Sequence, residues 1–130
     1  MPIPTLQGHS ILIVEDEPLI VLDMTQTLSC TQAQITSTNT LKHALILVEQ
    51  DGLSAAILDH ALGDGDSSAL CERLNARGIP YIIYSGFTHI GGPCKDAPQL
   101  SKPAMPETLV AAIEDLILGV AQGHSELAAM

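Results

Sequence analysis

The chain has 130 residues, enough for one domain that buries a core without metal or disulfide staples. Its net charge of −10 argues against nucleic acid or an anionic membrane surface as a partner, because both select Lys and Arg. Aromatic residues make up only 2% of the chain, so the core has to be aliphatic.

No apolar run approaches the roughly 20 residues that span a bilayer. Residues Met1 to Ser10 lack the basic and long apolar regions of a secretory signal, so a cytoplasmic location is expected. The three cysteines, Cys30, Cys71 and Cys94, are odd in number and unrelated in spacing, which predicts free thiols and no zinc site.

Apolar runs and helical patterns alternate along the chain. "SILIV" (10–14) is short, continuous and β-branched, as a strand buried on both faces should be. Pro18 suits the first turn of a following helix, where its missing N–H costs nothing. The apolar side of that helix is expected at Leu19, Leu22, Met24 and Leu28, with Ile20 and Val21 blurring the stripe. "AQITST" (33–38) is a weak second strand.

Leu41, Ala44, Leu45 and Val48 recur at helical spacing before Asp51-Gly52. "SAAILD" (54–59) is a third strand, and the loop "HALGDGD" leads to a helix bearing Leu70, Cys71 and Leu74 that Gly78 stops. "PYIIYS" (80–85) is a fourth strand and "PQLS" (98–101) a short fifth. The last helix carries Leu109, Ile113, Leu116, Ile117 and Val120.

Such alternation predicts an α/β fold, a doubly wound flavodoxin-like parallel sheet of five strands in the order 2-1-3-4-5. The domain is expected over 9–120, with tails at 1–8 and 121–130. Between the fourth and fifth strands, "GFTHIGGPCKDA" should hold a crossover helix, but Gly91-Gly92-Pro93 opposes one. That fourth helix is therefore expected to be short or irregular.

The first strand runs into Glu15, Asp16 and Glu17, a costly crowding of like charge beside a core. The beginning of a helix accounts for part of this, since its N-terminus favours negative charge. A cation accounts for more. In an open parallel sheet, ligands bind outside the carboxyl ends of the strands at the switch point. There the predicted order collects Glu15 and Asp16, Asp59 of the third strand, Ser85 of the fourth, and Lys102 after the fifth.

Carboxylates without His or Cys suit Mg²⁺. Asp59 has the chemistry of a nucleophile on phosphorus, with Ser85 and Lys102 placed to balance the developing charge. The Lys102–Pro103 bond is a candidate for cis.

Taken singly, each residue also has a plainer role, as a helix start, a turn or a surface lysine. Taken together, the set resembles the receiver domain of a two-component response regulator (CheY-like). The residues that carry this likeness are "VEDE", "ILDHALGDGDS", "IIYSG" and "SKP".

The resemblance implies that Asp59 accepts phosphoryl from the phosphohistidine of a sensor kinase, and that Mg²⁺ is held by Asp16, Asp59, Glu15 through water and the Ala61 carbonyl. It also implies that Ser85 and Lys102 contact the phosphoryl oxygens, and that Gly86 and Phe87 belong to the loop that closes on them.

The chain departs from the family pattern where a switch aromatic usually stands, here Gln99, and at Ala104, which is often Phe. "IYSGF" (83–87) is similar to the Phe-Ala-Thr-Gly-Tyr motif of an atypical receiver subfamily, whose kinases are commonly of the HWE or a related type. Gly86 is the one identical residue.

These features imply a stand-alone receiver, monomeric or weakly dimeric. It would act through a downstream protein, through a phosphotransfer protein, or as a phosphate sink, and not as an enzyme. The 86–98 segment is expected to be its mobile element, and self-dephosphorylation is expected to be slow because Ala61 cannot orient a water. The alternatives are a small aspartyl-phosphate phosphohydrolase, which would use a second Asp where Ala61 stands, and a phosphate-independent adaptor. His60 is expected to be an exposed loop residue.

Overall fold

A computed structural model describes residues 5–63, 65–86 and 92–119. Five parallel strands form the central sheet: β1 (Ser10–Val14), β2 (Gln34–Thr38), β3 (Ala55–Leu58), β6 (Tyr81–Ser85) and β7 (Gln99–Ser101). Their order is β2-β1-β3-β6-β7, the predicted doubly wound arrangement.

Between β3 and β6 the chain adds a small antiparallel hairpin, β4 (Ala61–Leu62) with β5 (Gly65–Asp66), where a plain loop was expected. Four helices are present among the described residues: α1 (Pro18–Leu28), α2 (Leu41–Leu47), α3 (Ser68–Arg77) and α4 (Pro106–Leu118).

Alternation along each strand divides the core into two layers. Leu12, Val14, Ala56, Leu58 and Ile83 face α2 and α3. Ile11, Ile13, Ile57, Ile82 and Tyr84 face α1 and α4. The apolar side of α1 is Ile20, Met24 and Leu28, one residue every helical turn, whereas Leu19 and Leu22 are exposed. Ile20, which blurred the expected stripe, is part of the real one.

Leu6, ahead of the expected boundary at residue 9, is fully buried, and its N–H donates to the Thr31 carbonyl at 2.9 Å. Val120, the rest of the expected tail at 121–130, and residues 87–91 lie outside the described residues.

The described part of the β6–β7 connection holds a three-residue 3₁₀ turn, Gly92–Cys94, in place of a regular helix. Cys94 of this turn is joined by a disulfide to Cys71 on α3, with a Cα–Cα distance of 5.2 Å. This corrects the expectation of three free thiols. The pairing depends on the turn lying against α3, a tertiary approach that spacing does not reveal. Cys30 is free and exposed.

Candidate functional site

Register sets the depth of each polar residue. Val14 lies beside Thr38 of β2 and Leu58 of β3, so Glu15 and Asp59 emerge at one level of the sheet edge. The Asp59 N–H donates to the Val14 carbonyl at 2.8 Å, and the Glu15 N–H to the Thr38 carbonyl at 3.0 Å, which holds both residues to the end of the ladder. Ser101 pairs with Ser85, and the Lys102 N–H donates to the Ser85 carbonyl at 3.0 Å. Lys102 therefore begins where β6 ends.

The three acids converge. One carboxylate oxygen from each of Glu15, Asp16 and Asp59 lies within 4.8 Å of the others. Glu15 is 2% exposed and Asp59 8%, while Asp16 is open to solvent. Lys102 Nζ donates to Glu15 Oε1 at 2.5 Å and lies 3.4 Å from Asp59 Oδ2. The ammonium thus bridges two carboxylates that would otherwise repel each other.

The second Glu15 oxygen accepts from the Glu17 N–H at 3.1 Å. The turn of the hairpin runs beside the acids, since a Cβ on Gly63 would lie 4.0 Å from Asp16 Oδ2. On the other side, a cleft of about 480 Å³ opens between α1 and the end of β2, lined by Glu15, Asp16, Pro18, Leu22, Thr38 and His43.

Burial pushes the Glu15 carboxyl above its ordinary range, with a smaller push from Asp59, against the pull of Lys102 and the Glu17 N–H. For Lys102, burial alone would lower the pKa. The Glu15 hydrogen bond and the charges of Asp59 and Glu15 outweigh it, and the net direction is upward. The two shifts pull the pair in opposite senses. At neutral pH the charged ammonium governs, because one lysine faces two carboxylates at hydrogen-bonding or ion-pair distance.

Ser85 is buried at the end of β6, as its expected position requires. Gly86 follows it with open space around its Cα, and Phe87 lies outside the described residues. Ala61 opens β4, two residues beyond Asp59, and Gln99 is exposed on β7. The Lys102–Pro103 bond is cis.

Two participants were not foreseen. Tyr84 places its ring 5.7 Å from Lys102 Nζ, and its hydroxyl accepts from the Ala104 N–H at 3.0 Å, so it braces the lysine loop from below. Its place, one residue before Ser85 on a fully buried strand, was the available signal. His60 is half-buried, not solvent-exposed, and its Nδ1 lies 3.2 Å from the hydroxyl of the buried Ser67.

Three carboxylate oxygens, two of them buried and that of Asp16 open to solvent, with no nitrogen or sulfur ligand beside them, suit a hard divalent cation. The residues present therefore fit Mg²⁺.

No protein-family model and no curated protein matches the chain. Solved structures do. A response regulator receiver domain protein (CheY-like) from Methanospirillum hungatei JF-1 superposes with a TM-score of 0.77 at 22% identity, over 88% of this chain and 98% of that one. SdrG from Sphingomonas melonis Fr1 is 34% identical, with a TM-score of 0.72 over 88% of this chain and 98% of its own. The response regulator PhyR from Brucella abortus is 26% identical, with a TM-score of 0.74, over 97% of this chain but 54% of PhyR.

Sheet order, acid cluster and bridging lysine define a receiver-type domain. The chain therefore has the fold of the CheY-like response regulator receiver domains, and it is similar to SdrG over nearly that protein's whole length.

Proposed function

We propose that the chain is a single-domain response regulator whose Asp59 accepts a phosphoryl group from the phosphohistidine of a sensor kinase. One observation carries this reading: Glu15, Asp16 and Asp59 gather within 4.8 Å at the carboxyl edge of the sheet, with Lys102 Nζ between two of them.

In the reaction an Asp59 oxygen attacks phosphorus, the P–N bond breaks, and the imidazole leaves with its electron pair. Positioning and charge neutralisation are most of what such a transfer needs. Glu15, Asp16, Asp59 and the Ala61 carbonyl would hold Mg²⁺, which when bound offsets charge on the phosphoryl oxygens. Lys102 supplies the fixed positive charge, and Ser85 a hydroxyl at the rim of the next strand. Phosphorylation then shifts Lys102 from Glu15 toward the new group, which favours a different arrangement of the loop after Ser85.

Ala61 stands where a phosphohydrolase of this chemistry would carry its general acid, which supports a phosphoryl acceptor over a turnover enzyme. The atypical Phe-Ala-Thr-Gly-Tyr reading, and with it a kinase of the HWE type, rests on "IYSGF" and on Gln99 at the switch position. Output would pass to a downstream protein, to a phosphotransfer protein, or into draining a shared kinase.

The test is incubation with a phosphorylated histidine kinase and Mg²⁺, followed by intact mass. The wild type should gain one phosphoryl group and Asp59→Asn none. Equal labelling of both, or of neither, rejects the reading.

A further inference from the structure

We propose that Cys71 and Cys94 are a reversible redox site that controls how firmly the Gly92–Cys94 turn is held against α3. Both residues are fully buried, and their Cα atoms stand 5.2 Å apart, a separation at which a disulfide opens and closes without moving a helix. The site goes beyond the phosphoryl reading and stands without it.

The two partners differ in mechanical setting. Cys71 lies within the regular helix α3, between the buried Leu70 and Leu74. Cys94 ends a three-residue turn that, among the described residues, is held to α3 and β6 through the Pro93 carbonyl. The Pro93 carbonyl accepts from Asn75 Nδ2 at 3.0 Å and from the Tyr81 hydroxyl at 3.2 Å. The Cys94 carbonyl accepts from the Ala97 N–H at 3.2 Å. Opening this turn exposes a sulfur without disturbing the sheet, and such local opening costs far less than unfolding. A chain of this size with an aliphatic core does not depend on a staple, so the bond is free to serve regulation.

Chemistry at the sulfur is felt beside the acid cluster. Ser67 is buried with its hydroxyl 3.9 Å from Cys94 Sγ and 3.2 Å from His60 Nδ1, and His60 is the residue after Asp59. In the disulfide structure Cys94 Sγ lies 3.7 Å from the Ser67 carbonyl oxygen, which is placed to accept from the S–H that reduction would create. In the disulfide state the sulfur has no proton to give, and only the Ser67 hydroxyl can donate.

The oxidant is a low-molecular-weight disulfide of the glutathione class. The Cys94 thiolate attacks one of its sulfurs and expels one thiol. The Cys71 thiolate then attacks the mixed disulfide and expels the second. Two protons and two electrons leave the protein, and one S–S bond forms.

The experiment uses the full chain, equilibrated without denaturant in glutathione disulfide or in dithiothreitol. Native alkylation with mass mapping is followed by amide exchange. In the oxidised sample Cys71 and Cys94 should resist alkylation, while the exposed Cys30 carries either the alkyl group or one glutathione. In the reduced sample Cys71 and Cys94 should label too, exchange over residues 94–97 should quicken about tenfold with β1 and β3 unchanged, and the midpoint of melting should fall by roughly 10 °C. Reoxidation should restore each value.

Cys94→Ala, or Cys71→Ala if the first folds poorly, should exchange like the reduced wild type in either buffer. The proposal fails if glutathione disulfide leaves the pair open to alkylation, if dithiothreitol reduces it only with denaturant present, or if the alanine variant still responds to redox.

Discussion

Lys102 is the residue on which the acid cluster balances. Its ammonium contacts Glu15 and Asp59, both nearly buried, so removing it leaves two facing carboxylates uncompensated. Lys102→Met should cost the Mg²⁺-free protein about 2 kcal/mol, read by urea unfolding. The same change should tighten Mg²⁺ binding several-fold, because the lysine no longer competes for the carboxylates; weaker binding in titration calorimetry would contradict this.

Glu15 adds a pH test. Its folded pKa is raised by burial, so the fold prefers the protonated carboxyl. That preference lends its full stability below the ordinary Glu value of about 4.3 and loses it as pH rises through the folded value. Without Mg²⁺, the stability of the wild type relative to Glu15→Gln should therefore decline from about pH 4 toward neutrality, and a flat or rising difference would be inconsistent with the burial. Lys102 acts at the other end. Its raised pKa keeps its contribution intact below about pH 10.4 and surrenders it above. The acids and the lysine were legible because each ends or follows an apolar run. That the lysine would rest on Glu15 was not, since nothing local links residues 15 and 102.

At the scale of elements, strands and helices followed from periodicity wherever burial was one-sided or complete. The hairpin at 61–66 did not, because two-residue strands carry no alternation to read. Gly65 shows what shapes it: φ is +147°, and a Cβ there would come within 3.0 Å of Leu41 Cδ2. Gly65→Ala should cost roughly 1–3 kcal/mol by combined backbone strain and contact with α2, measured as a fall in the urea midpoint. Tyr84 braces the lysine loop through a single hydroxyl, so Tyr84→Phe should cost about 1 kcal/mol while leaving the ring beside Lys102. No change in stability would mean that the Ala104 N–H finds another acceptor. The disulfide belongs to the same scale. Its halves sit on a predicted helix and in a predicted interruption, and only their docking makes them a pair.

For the molecule as a whole, the order of the sheet was legible, since strand–helix alternation leaves few topologies open. From that order came the convergence of acids at one edge. A folded state that gathers three carboxylates should be favoured by any divalent cation it binds. At a hundred times the dissociation constant, Mg²⁺ should add about 2.7 kcal/mol, raising the midpoint of thermal melting by several degrees. A chelator should reverse that gain. Asp16→Asn, at an exposed ligand position, should abolish most of it without unfolding the chain.

The two rims of the sheet have a practical consequence. β7 is three residues long and is followed within two positions by Pro103, which has no N–H to offer a neighbour. The opposite rim, β2, reads "QITST": its one aliphatic, Ile35, packs against the core, and the other four side chains are hydroxyls and an amide. Neither margin invites an incoming strand to zip on, and the surplus of negative charge keeps copies apart. Concentrated solutions of this protein should stay clear of fibrils.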